Sequence, residues 1–239
     1  MAEGNRDARK GEQRRQQRLI YYDLSPNQLE AKAIEMLRKF DSTLLEKPKT
    51  IDVYAVIEKC LDVPYDWKYI TPDQSILGAT AFNDGYMYVW DKPYYKKGMM
   101  PKKIFLEKGT ILIDSTLTEG DDRGRENFTV IHETFHQVLH KRCFAHSKAD
   151  YTHATYAKAL KDKRKPKTAI EIIEYQANSC AAYFLMPRNV VLAVYDKLAS
   201  TTISASSKQS WAIAYKMAPE FNVSATAMHY RLEKLKKFI

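Results

Sequence analysis

Apolar residues recur at helical spacing in the first and last thirds of the chain and alternate with polar ones between them. Leu29, Ala33, Leu37 and Phe40 predict a first helix, with Ser25 as N-cap, Pro26 at the first helical position and Gln28 completing a capping box. Pro48 stands in the loop that follows, and residues 51–60 predict a second, shorter helix. Four stretches, 66–70, 78–82, 86–90 and 110–114, are short and rich in aromatic or β-branched residues, which predicts strands. Asn83-Asp84-Gly85 between the middle two is a hairpin signal. Together they predict a small antiparallel sheet, with residues 91–109 as a basic, proline-containing loop inside it.

From about residue 125 the helical period returns, with Phe128, Ile131, Phe135, Val138 and Leu139 on one apolar face. Another helix opens with Thr168 as N-cap and Glu171 three residues on, and must end near Met186 because Pro187 cannot continue it. Helices over 189–199 and 207–218 follow, and 224–238 is amphipathic. The predicted fold class is α+β. Its parts are a disordered basic arm over 1–19, a core domain over 20–200 and a C-terminal helical subdomain over 201–239.

Composition narrows the function classes. The chain has 239 residues, 45% of them hydrophobic, enough for one large domain or a core with an appendage. No run of 18 apolar residues occurs and no apolar stretch follows the charged N-terminus, so neither a membrane span nor a secretory signal is expected. Cys60, Cys143 and Cys180 show neither zinc-finger spacing nor a disulfide framework, which suits a reducing cytoplasm. The net charge of +9 is clustered, in an arm with Arg6, Arg9, Lys10, Arg14, Arg15 and Arg18 and in a run over 158–167. A solvated arm and loop explain these clusters more simply than dedicated nucleic-acid contacts.

The chemistry is concentrated in His132-Glu133-Thr134-Phe135-His136. Residues four apart share a helix face, so His132 and His136 can ligate one zinc ion while Glu133, beside the metal, takes a proton from water. A third protein ligand is needed. Position 139 is Leu and 142 is Arg, so the metzincin pattern of a following Gly and His is absent. The helix opened by Thr168 offers Glu171 and Glu174 instead. Glu171 is occupied in the capping box, whereas Glu174 lies a turn deeper with Asn178 at i+4 to brace a ligand histidine, which favours Glu174. His140 continues the stripe but is too far along to share the ion, and is expected to support the ligands or line the rim. His146 and His153 fall in the polar stretch beyond.

Residues 125–140, Arg-Glu-Asn-Phe-Thr-Val-Ile-His-Glu-Thr-Phe-His-Gln-Val-Leu-His, resemble the active-site helix of the ImmA/IrrE family of metallo-endopeptidases. The run from Glu174 through Ala177-Asn178 to Leu185-Met186-Pro187 resembles the family's second block, and Phe221-Asn222-Val223-Ser224 with Arg231-Leu232 its ending. The resemblance spans roughly residues 50–239, apart from the loop at 141–167. It implies a zincin-like core, with a small sheet packed on the active-site helix and a second ligand helix. It implies His132, His136 and Glu174 as ligands of Zn2+ and Glu133 as catalytic base. It also implies a cytoplasmic peptidase of bacteria or their mobile genetic elements, whose protein substrate is a helix-turn-helix repressor. Three positions depart from the pattern: Thr134-Phe135 stands where the family commonly has Leu-Gly, and Phe184 where it commonly has Leu. The alternative reading is a DNA-binding regulator, because residues 211–235 resemble a helix-turn-helix whose second helix carries His229, Arg231 and Lys234. A pseudoenzyme is disfavoured because Glu133 is present.

Overall fold

The computed structural model describes residues 21–94, 97–120, 123–144, 152–156, 166, 168–199 and 207–235. The basic arm over 1–19 and the basic run over 158–165 lie outside the described residues. Helix α1, Pro26–Asp41, opens with the expected capping box: the Ser25 hydroxyl accepts from the Gln28 N–H, and the Gln28 side chain accepts from the Ser25 N–H at 2.9 Å. It buries Leu29, Ala33, Met36 and Leu37. Helix α2, Val53–Cys60, begins later than the pattern suggests, because the Asp52 carboxylate caps it by accepting from the N–H groups of Tyr54 and Ala55.

The strands are β1 (Tyr65–Lys68), β2 (Ile76–Ala81), β3 (Gly85–Val89), β4 (Lys102–Leu106), β5 (Ile111–Asp114) and β6 (Thr152–Tyr156). They depart from the expected antiparallel sheet in three ways. The main sheet has the order β1-β5-β2-β6 and is mixed, because β1 runs parallel to β5 while β5 and β6 run antiparallel to β2. Alternation reveals the faces of a strand but not its direction. The expected hairpin between β2 and β3 does not form; β3 pairs with β4 in a separate two-stranded ribbon. A tight two-residue hairpin needs positive φ in its turn, and none of Asn83, Asp84 and Gly85 has it. The Asp84 carboxylate accepts from the Lys108 N–H at 2.7 Å instead, making the segment a corner between the sheets. Finally, the basic loops hid two strands. In β4 only Ile104 and Leu106 turn inward between exposed lysines and Phe105, and β6 falls in the polar stretch after the motif helix.

Helix α3, Arg123–Phe144, lies against the sheet, and α4, Ala169–Leu185, packs beside it. Ile111 and Ile113 of β5 face the main helical core, and Leu112 joins a smaller cluster with Ala79, Ala81 and Leu106 under the ribbon. A strand covered on both faces reads as continuously apolar, as Ile-Leu-Ile does here. On α3, Ile131 and Phe135 are fully buried, whereas Val138, expected on the same face, is exposed. Phe135 meets Phe184 of α4 edge-on at 6.0 Å between centroids, so the two aromatic departures from the family pattern pack against each other in the core.

Helices α5 (Arg188–Ala199), α6 (Ser207–Met217) and α7 (Ala225–Leu235) complete the described fold. Ala214, Met217, Met228, Leu232 and Leu235 belong to the same core as α1, α3 and α4. The start of α3 touches the turn before α7: a Cβ at Gly124 would stand 2.4 Å from the backbone of Val223 and Ser224. The basic groups expected on the DNA-facing side of α7 are largely turned inward. Arg231 is buried, donates through Nε to the Met186 carbonyl at 3.0 Å, lies over the Tyr183 ring and pairs with Glu30. His229 is buried and stacked on Trp211 at 3.9 Å, leaving Lys234 the exposed one of the three. This arrangement suits packing on the core and does not suit groove reading.

Candidate metal centre

One helical turn separates His132 and His136 on α3, and both rings point at α4, where Glu174 meets them. Glu174 Oε2 is 3.4 Å from His132 Nε2, Glu174 Oε1 is 3.3 Å from His136 Nε2, and the two Nε2 atoms are 2.8 Å apart. One donor atom of each residue lies within 4.8 Å of the other two, and all three residues are buried. Ligands about 2.0–2.1 Å from a tetrahedral zinc ion stand about 3.3 Å from one another. Both histidine–carboxylate separations have that value, and the rings need to part by about half an ångström to admit the ion. The donor set of two imidazoles and one carboxylate fits a borderline-soft divalent metal with one position left over.

The charge balance favours a cation. Burial alone would push the His132 imidazole pKa down, but the hydrogen bond and charge of Glu174, with help from Glu133 and Asn178, hold it above the ordinary histidine value. A site that raises the affinity of a ring for a proton also suits a metal ion at the same nitrogen. Of the carboxylates considered from sequence, Glu171 is engaged at the start of α4. Its Oε2 accepts from the Thr168 N–H at 2.9 Å, and its own N–H donates to the Thr168 hydroxyl at 3.2 Å.

Around the three donors stand hydrogen-bond partners. His132 Nδ1 meets Asn178 Oδ1 at 3.0 Å, one turn beyond Glu174 on α4. His136 Nδ1 meets His140 Nδ1 at 3.0 Å, and His140 Nε2 in turn meets Gln176 Oε1 at 3.0 Å. Gln176 Nε2 donates to the Tyr22 carbonyl at 2.6 Å. The structure thus brings Asn178 and His140 onto the two histidines. The side chains of His146 and His153 lie outside the described residues, although the backbone of His153 pairs with Thr80 in the sheet.

The Glu133 carboxylate reaches β2. The Thr80 hydroxyl donates to Glu133 Oε2 at 2.7 Å. A Cβ added at Gly78 would fall 2.7 Å from Glu133 Oε1. The pairing register of β2 shifts between Ile76 and Gly78, and beyond that irregularity Gly78 and Thr80 lie against the carboxylate while Ala79 and Ala81 face the ribbon. Sequence reasoning missed Gly78, Thr80 and Gln176. A glycine in a strand signals close approach of another group, but the group, fifty-odd residues away in sequence, is not legible from it. Gln176 stands two residues from Glu174, a spacing that places helix residues on different faces. Gly78→Ala is expected to displace the Glu133 carboxylate while the metal stays bound. Misplacement by about 1 Å can cost ~10²-fold in rate. Turnover and metal content measured on the same preparation check this.

The sequence model of the IrrE N-terminal-like domain, Peptidase_M78, matches residues 107–233, more than half of the chain. The matched span contains α3, α4 and each of the three candidate ligands. No curated protein matches the chain.

Proposed function

The chain belongs to the Peptidase_M78 family, and from that membership we propose that it is a zinc-dependent endopeptidase acting on a helix-turn-helix transcriptional repressor. The observation that carries the metal-dependent reading is the buried His132–His136–Glu174 group with Glu133 held beside it. In this reading His132, His136 and Glu174 hold Zn2+, while Asn178 and His140 orient the two rings. The bound ion supplies Lewis acidity, which makes water acidic enough to act near neutral pH and polarises the scissile carbonyl. Glu133 does the proton work: its carboxylate takes a proton from the attacking water and delivers it to the nitrogen of the leaving amine. The Thr80 hydroxyl fixes the rotamer of that carboxylate through Oε2, and the bare backbone at Gly78 leaves it room. Burial keeps the donor set away from bulk water and strengthens the electrostatics within it.

A peptidase implies a protein substrate, and among the described residues no helix is long and apolar enough to cross a membrane. The repressor and a cytoplasmic setting come from the family resemblance of the two helical blocks. Incubation with the helix-turn-helix repressor encoded beside the gene, followed by mass spectrometry, tests them. Discrete fragments from one scissile bond, lost when a chelator is added, are expected. An intact repressor in the presence of zinc would count against that substrate.

A further inference from the structure

We propose that Gln176 is a positioning residue of the metal centre: anchored on the Tyr22 carbonyl, it dictates through His140 which ring nitrogen of His136 carries the proton. Its consequence for metal binding rests on the reading above; its geometry does not.

Among the described residues, the line of contacts has one self-consistent direction for neutral rings. A backbone carbonyl can only accept, so the Gln176 atom 2.6 Å from the Tyr22 oxygen is the amide nitrogen. The other end of the amide is then Oε1, which can only accept, and it receives the proton of His140 Nε2 at 3.0 Å. His140, protonated there, presents a lone pair at Nδ1. His136 Nδ1, 3.0 Å away, must donate to it. The proton of His136 therefore sits on Nδ1, and its Nε2 turns a lone pair toward His132 and Glu174. Were the amide reversed, each donor would reverse with it. Gln176 would donate to His140, His140 to His136, and the His136 proton would move to Nε2, where an incoming ion would have to displace it. One carbonyl outside α3 and α4 thus sets the polarity of three side chains. Gln176, His140 and His136 are all buried, so bulk water is not at hand to replace a missing partner. His132 has a separate device, Asn178 directly on its Nδ1, and serves as an internal control.

The test is long-range proton–nitrogen NMR correlation on the metal-free full-length protein, at a pH far enough above the raised His132 pKa that every ring is neutral, which reads the tautomer of each imidazole, beside zinc affinity from chelator competition. In the wild type both His132 and His136 are expected as Nδ1–H tautomers. Gln176→Leu is expected to lose that preference at His136 but not at His132, and to bind zinc ~10–100-fold more weakly, the usual effect of removing support from a ligand histidine. Gln176→Glu, which still accepts from His140 Nε2, is expected to keep the His136 tautomer; a purely packing role would not distinguish the two variants in this way. A proton on His136 Nε2 in the wild type would overturn the proposal, as would an unchanged His136 tautomer in folded Gln176→Leu. Should Gln176→Leu fail to fold, the wild-type and Gln176→Glu spectra decide, the Nε2–H tautomer in either being contrary. Nδ1–H tautomers in a wild type that takes up no zinc would support the relay and contradict the peptidase reading alone.

Discussion

Glu133→Gln is expected to keep one metal ion per chain and the wild-type melting temperature while cleavage falls by ~10²–10⁴-fold. The amide has the shape of the carboxylate but cannot take the proton of water, so the substitution removes the base and little else. The surroundings favour a clean result. An amide can still accept from the Thr80 hydroxyl through its oxygen, and the space beside Gly78 admits the nitrogen as it admits Oε1. None of the three candidate ligands is touched. Single-turnover cleavage alongside metal analysis checks this. Turnover near the wild-type rate would show that Glu133 is not the base.

Glu174→Gln is expected to lose the metal, and cleavage with it, whereas Glu171→Gln keeps both. Glu174 is the carboxylate within 3.4 Å of both His132 and His136, and without it two neutral rings remain to hold a dication. A structural zinc site has four ligands and a catalytic one three, so two leave affinity far below the level at which zinc stays bound through purification. Glu171 carries out a different task, accepting from the Thr168 N–H at the start of α4. Its loss is expected to cost about 0.5–2 kcal/mol of stability, the usual range for a helix cap, seen as a lower melting temperature with unchanged zinc. The two variants thus separate ligand from cap on one helix. Retention of zinc by Glu174→Gln together with its loss from Glu171→Gln would reverse the assignment.

Local signals carried the helices and the grouping of His132, His136 and Glu174. Capping residues and Pro187 marked the ends of α1 and α4, and one turn of helix dictates that His132 and His136 share a face. Placing Glu174 rather than Glu171 near those rings drew on the capping carboxylate already being engaged, on Asn178 one turn beyond Glu174, and on the resemblance of the second helical block. The sheet was harder, because pairing partners lie far apart in sequence. Ile111-Leu112-Ile113 reads as a buried strand, but nothing in it announces a parallel neighbour in β1. Asn83-Asp84-Gly85 has the composition of a hairpin, and tertiary contact through Lys108 makes it a corner. The supports of Glu133 and His140 were out of reach for the same reason. Thr80 and Tyr22 come from β2 and from the segment before α1, and only the fold brings them to the motif helix.

Elemental analysis of the purified protein tests the metal centre most directly, with the wild type measured beside the His132→Ala/His136→Ala double variant. The wild type is expected to hold one zinc ion per chain and the double variant, with only Glu174 left at the site, close to none. Stoichiometric zinc in the double variant would contradict the assignment of His132, His136 and Glu174 as the metal centre.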